Sequence, residues 1–100
     1  MKINFQQFKI YTSVNHKKSE TGDIRELFAD AIYNSVNGIR AHALAMKIYK
    51  SEGATDYEDK EAELIKSVAE RLCAPGIIDG LNEQLEEAQS DKNIDNNKNK

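Results

Sequence analysis

The sequence predicts an α+β fold, mainly α, in which an N-terminal β-strand or hairpin precedes three to four short amphipathic helices. Near the N-terminus, apolar and polar residues alternate, which is typical of a strand. Further along, apolar residues recur every three or four positions, which is typical of helices. Because the chain has 100 residues, these elements are predicted to form a single helical domain with an N-terminal β-element over residues 1–88.

The N-terminal segment alternates in two phases because Gln6-Gln7 adds one residue between them. A β-bulge could absorb this slip, or the segment could form two short strands. Its apolar residues are Ile3, Phe5, Phe8 and Ile10. Tyr11 adds to the strand-forming composition. The polar run 15–22 that follows predicts an exposed loop.

Helix one is predicted to begin near Asp23, which forms a capping-box pattern with Glu26, and to end at Asn37-Gly38. Helix two is predicted over residues 39–50 and is closed by Gly53. The two could also run on as one kinked helix, because an interior glycine costs only about 1 kcal/mol. Helix one is apolar over a wide face, and any exposed remainder of that face would mark a partner site.

Helix three is predicted to begin at a second capping-box pattern, Thr55 with Glu58. It stops before Pro75, because the residue ahead of a proline avoids the helical conformation. Helix four begins at Pro75. Residues 89–100 contain one apolar residue and are predicted to form a disordered polar tail.

Composition and charge favour a soluble protein that stays in the cytoplasm. The chain is 31% charged, has no apolar run long enough to span a membrane, and begins without the apolar stretch of a signal peptide. A single cysteine, Cys73, allows no internal disulfide. The net charge of -3 divides unevenly, because residues 1–50 carry +4 and residues 51–100 carry -7. Such a division favours association between unlike surfaces.

No pattern of catalytic or metal-ligating residues is present. His16, His42 and Cys73 do not fall at metal-ligand spacing, and the acidic run 52–63 lacks the ligand positions of a calcium loop. Cys73 ends an amphipathic helix, where a small core residue is expected more than a nucleophile. We therefore expect no cofactor, no metal site and no enzymatic activity. A small enzyme is the least favoured of the functions considered.

One strand followed by two helices resembles, in outline, the ribbon-helix-helix DNA-binding family over residues 2–50. The resemblance implies a DNA-binding regulator in which strands of two subunits pair and enter the major groove. The residues that would then contact nucleic acid are Asn4, Gln6, Lys9, Lys17 and Lys18. The polar loop between strand and helix departs from that family, and the acidic net charge is against binding to nucleic acid.

The N-terminal strand has no evident partner elsewhere in the sequence, and an unpaired strand edge invites pairing with another chain. We therefore expect a homo-oligomer joined through this segment. The residues expected to self-associate are Ile3, Phe5, Phe8, Ile10 and Tyr11. The function predicted from the sequence is that of a small interaction or assembly protein that binds itself and an unknown protein partner. Its size and polar composition suit a bacterial or bacteriophage accessory protein.

Overall fold

A computed structural model describes the backbone of residues 1–98 and the side chains of residues 1–87. Within this range the chain forms four strands and four helices, which confirms the α+β, mainly α class. In chain order the elements are β1 (Lys2–Asn4), β2 (Phe8–Tyr11), β3 (Ser19–Gly22), α1 (Arg25–Ser35), α2 (Ile39–Lys50), β4 (Ala54–Asp56), α3 (Asp59–Leu72) and α4 (Pro75–Lys98).

Both N-terminal strands pair within the chain. β1 runs antiparallel to β4, with Ile3 opposite Thr55, and β2 runs antiparallel to β3, with Ile10 opposite Glu20. The N-terminal segment therefore forms two short strands and not one bulged strand. Asn4 makes the break, because its side-chain oxygen accepts hydrogen bonds from the backbone N–H groups of Gln6 and Gln7.

Helix α4 lies against the outer edge of β2 at an unusually short separation. Gly76 and Gly80, one helical turn apart, face the carbonyl groups of Tyr11 and Lys9. A Cβ atom at Gly76 would overlap the Tyr11 carbonyl oxygen, and one at Gly80 would overlap that of Lys9. Two residues without side chains thus let the helix cover an edge that would otherwise be open to another strand.

The same helix covers β1 through an amide side chain. The backbone N–H of Asn4 donates to Oε1 of Gln84 at 2.8 Å, and Nε2 of Gln84 donates to the carbonyl oxygen of Asn4 at 3.4 Å. Gln84 therefore presents one acceptor and one donor to Asn4, as a neighbouring strand would. Glycine contacts and one glutamine together place α4 along both N-terminal strands.

The hydrophobic core is centred on Phe5, which lies between β1 and β2 and is fully buried. Its ring lies 5.0 Å from that of Phe28 on α1, 5.8 Å from that of Phe8, and 5.9 Å from that of Tyr57, measured between ring centroids. The Tyr57 ring meets it edge-on, an arrangement that aromatic quadrupoles favour. The core therefore joins the N-terminal strands to the helices.

The separation of α1 from α2 settles the question that the sequence left open at Asn37-Gly38. Gly38 is the N-cap of α2 and adopts a φ of 108°, which residues with a side chain rarely adopt. Helix α2 then covers Ile39–Lys50, as the sequence predicts. The two segments are consequently separate helices, and they pack against each other as a hairpin.

Two predicted helix caps are wrong. The Asp23 side chain accepts hydrogen bonds from the backbone and guanidinium of Arg25 instead of forming a box with Glu26. Thr55 lies in β4, and the capping box of α3 is formed three residues later by Glu58 and Glu61. The Thr55 pattern failed because pairing with β1 holds that residue in a strand.

Helix α4 begins at Pro75, as predicted. No described helix is long and apolar enough to cross a membrane. The predicted tail, residues 89–100, overlaps the last turns of α4 and extends to residues 99–100, which lie outside the described part of the chain. The side chains of residues 89–100 also lie outside the described part of the chain, so the disordered tail remains a prediction.

Replacing Gly80 with alanine is expected to lower the free energy of unfolding by about 2 kcal/mol, because forcing extra atoms into a packed contact costs more than the helix propensity of alanine regains. Gly22→Ala is the matched control, since a Cβ atom at Gly22 meets nothing within 4 Å. Urea unfolding of both variants provides the measurement. If Gly80→Ala were as stable as the control, α4 would not lie against β2 as described.

Candidate functional site

The residues predicted to mediate self-association lie in the interior or against α4. Ile3, Phe5 and Phe8 are buried in the core, and Ile10 is half-buried beside Gly76. The Tyr11 hydroxyl donates a hydrogen bond to Glu83. The assumption that this strand lacks a partner in its own chain is wrong, because β3, β4 and α4 occupy its edges. This segment therefore does not offer its apolar side chains to a second copy.

The ribbon-helix-helix resemblance would place five residues on DNA, and these residues do not lie together on one exposed strand. Asn4 is occupied in the turn before β2, and the Gln6 side-chain oxygen accepts a hydrogen bond from the backbone N–H of Gly53. Lys9 pairs with Glu83, while Lys17 and Lys18 are exposed in the loop between β2 and β3. The pairing of both strands inside the chain also departs from the family's outline.

A polar cluster fastens the β2–β3 hairpin to α4. The His16 ring stacks on the Tyr11 ring with centroids 4.0 Å apart, and His16 Nε2 lies 3.0 Å from Oδ2 of Asp79. Lys9 Nζ lies 3.6 Å from Oε1 of Glu83 and 4.8 Å from the centre of the Tyr11 ring. All of these groups are satisfied by one another, so the cluster has a structural role in docking the hairpin.

The charges of this cluster are stabilised mutually. The hydrogen bond from the Tyr11 hydroxyl holds the pKa of Glu83 below its usual value. Burial opposes this effect, and the Lys9 ammonium adds to it. The same neighbours raise the pKa of Lys9, the hydrogen bond with Tyr11 contributing most. Both groups therefore stay ionised at neutral pH.

The outer surface of the α1–α2 hairpin is different, because apolar side chains there have no cover within the described residues. Ile39 is 87% exposed, Tyr33 62%, Tyr49 53% and Met46 38%. The Tyr33 and His42 rings lie 5.8 Å apart between centroids and join the two helices across this surface. We call this surface the hairpin face and define it by Glu26, Asp30 and Tyr33 of α1 with Ile39, His42, Ala43, Met46, Tyr49 and Lys50 of α2.

Sequence reasoning missed most of the hairpin face. The buried positions of α2 are Ala41, Leu44, Ala45 and Ile48, and Tyr49 lies outside this stripe. A second stripe was present in the sequence at spacings of three, seven and ten residues. Its members are Ile39, His42, Met46 and Tyr49. Two stripes on one helix indicate two contact surfaces, of which the folded chain covers one.

The groups considered for metal binding or catalysis lie apart. His16 is in the polar cluster and His42 is on the hairpin face. Cys73 packs against the core, and this burial raises the pKa of its thiol, which makes it a poorer nucleophile at neutral pH. Among the described residues, no group of three His, Cys, Asp or Glu side chains is placed to hold a metal ion.

Comparison of the chain with protein families, with curated proteins and with solved structures finds no match.

Replacing Glu83 with glutamine is expected to destabilise the protein at pH 7 and to matter less in acid. Because the folded-state pKa of Glu83 lies below the unfolded value, its stabilisation is present at neutral pH and is lost as the pH falls through the folded pKa. The difference in free energy of unfolding between wild type and Glu83→Gln should fall by about half or more between pH 7 and pH 3.

Denaturant unfolding at the two pH values measures this difference, and Glu86→Gln, an exposed position on the same helix, is the control. A difference between wild type and Glu83→Gln that is the same at pH 7 and pH 3 would contradict the assigned charge interaction.

Proposed function

We propose that this protein is a non-enzymatic interaction protein that works in the cytoplasm and makes its contacts, including self-association, through the hairpin face. The observation that carries the proposal is the pair of apolar stripes on α2. One stripe packs into the core through Leu44 and Ile48, while Ile39 and Met46 on the other side remain exposed. A helix that is apolar on two faces is usually covered on both.

The extent of the exposed surface supports a contact role. Four of the seven large apolar side chains that are exposed among the described residues lie on this one face: Tyr33, Ile39, Met46 and Tyr49. Single exposed apolar residues are ordinary, but contiguous ones mark binding surfaces. Aromatic residues and methionine are also the types enriched where proteins meet.

The chemistry of the remaining surface also favours binding over catalysis. The titratable groups around Tyr11 and His16 are paired with one another across the junction of the β2–β3 hairpin and α4. The one thiol has a raised pKa. An active site needs groups that are placed together and left free to react.

A pair of matched variants tests the proposal. Met46→Asp places a charge on the hairpin face, and Val14→Asp places the same charge on the loop of the β2–β3 hairpin, where Val14 is fully exposed. Each variant is immobilised and titrated with extract of the source cells, and the purified chains are also examined for self-association by sedimentation.

We expect the wild type and Val14→Asp to bind a partner saturably or to self-associate. Met46→Asp should lower the affinity for that partner or for a second copy at least about tenfold, because residues at the centre of an interface contribute most of the binding energy. Equal behaviour of Met46→Asp and Val14→Asp would overturn the proposal. A wild type that binds nothing and sediments as a monomer at every concentration would overturn it as well.

A further inference from the structure

The hairpin face carries opposite charges on its two helices. Glu26 and Asp30 are exposed on the α1 side and form an acidic strip. Helix α2 has no acidic residue, and the cation that it contributes to this face is Lys50. Within the described residues none of these three groups takes part in an ion pair. The exposed apolar side chains of the face, Tyr33, Ile39, Met46 and Tyr49, come from both helices.

The register of the hairpin shows which charges lie at the same height. Tyr33 of α1 is beside His42 of α2, and seven residues away in each helix Glu26 and Tyr49 line one shallow depression. Because α1 and α2 run in opposite directions, Glu26 is level with the last turn of α2, where Lys50 lies. Glu26 of the acidic strip is therefore level with Lys50, the cation of the same face.

Two copies can place this face against itself about a two-fold axis in two ways. If the axis is perpendicular to the helices, each α1 lies over the α1 of the other copy and acid faces acid. If the axis is parallel to the helices, each α1 lies over the α2 of the other copy, and Glu26 faces Lys50 of that copy. Opposite charges across an interface fix its register, and like charges oppose association.

We propose that the occupant of the hairpin face is a second copy of this chain, docked about a two-fold axis parallel to α1 and α2. This inference rests on the proposed function and specifies its partner. The four helices form an antiparallel bundle in which Ile39, Met46 and Tyr49 of both copies share an apolar seam. An axis parallel to the helices permits no sliding along them, so the Glu26–Lys50 pairs occur twice, once on each side of the axis.

The size of the face indicates a transient dimer. Helices of 11 and 12 residues are about 17 Å long. Side by side, they offer on the order of 350 Å² per copy, against about 800 Å² for a stable interface. The dimer is therefore expected to form only at high protein concentration.

Charge reversal tests the arrangement directly. Sedimentation equilibrium is measured at low salt for wild type, Glu26→Lys, Lys50→Glu, the double variant, and an equimolar mixture of the two single variants. Lys66→Glu on the exposed side of α3 is the control. Thermal unfolding of each variant verifies that its fold is intact.

We expect the wild type and the control to show concentration-dependent dimerisation and each single variant to dimerise about threefold to tenfold more weakly. The double variant and the mixture should recover the wild-type affinity, because each pairs lysine with glutamate at both positions.

If Glu26→Lys dimerised more tightly than wild type, α1 would lie over α1 and the proposed arrangement would be wrong. A monomeric wild type would also overturn it. If the wild type is monomeric but binds an extract protein saturably, and Met46→Asp abolishes that binding, the proposed function stands and the dimer is wrong. If the wild type neither dimerises nor binds an extract protein, the dimer and the proposed function are both wrong.

Discussion

The fold depends on the close approach of α4 to the outer edges of the N-terminal strands. Two strands of three and four residues cannot be stable on hydrogen bonds to one short partner each. Gly76 and Gly80 allow the helix axis to come near the backbone of β2, and Gln84 supplies hydrogen bonds to β1. The buried ring of Phe5 then packs against Phe8 of β2 and Phe28 of α1.

This contact also determines where the chain can meet another molecule. With β3, β4 and α4 on their edges, β1 and β2 have no free backbone edge within the described residues to offer a second chain. Helix α4 packs mainly against β1, β2 and α3, and among the described residues nothing covers the outer side of α2. The exposed apolar surface therefore lies on the helical hairpin and not on the strands.

The parts of the fold that could be predicted are those in which a local pattern decides the structure. The limits of α2 follow from the glycines on either side, since Gly38 and Gly53 both adopt positive φ. Pro75 marks the start of α4 for a similarly local reason. Strand β3, by contrast, has no apolar residue, so its sequence carries no alternation to detect.

Other features depend on residues distant in the sequence and could not be predicted from local patterns. Gly80 weakens a helix when considered alone, and its use becomes visible only when the carbonyl of Lys9 lies against it. Pairing with β1 overrides the helix cap that Thr55 suggests. The apolar alternation of residues 3–10 did indicate a strand, but an alternating pattern does not show whether its partner is the same chain or another.

Hydrogen exchange at the backbone amide of Asn4, followed by NMR in the wild type and in Gln84→Ala, tests most directly whether α4 covers the strand edge. The account predicts slow exchange in the wild type and exchange at least about tenfold faster in the variant, while the amides of α3 remain protected in both. Unprotected exchange at Asn4 in the wild type, with α3 protected, would contradict it. That result would mean that the edge of β1 is open to solvent or to another chain.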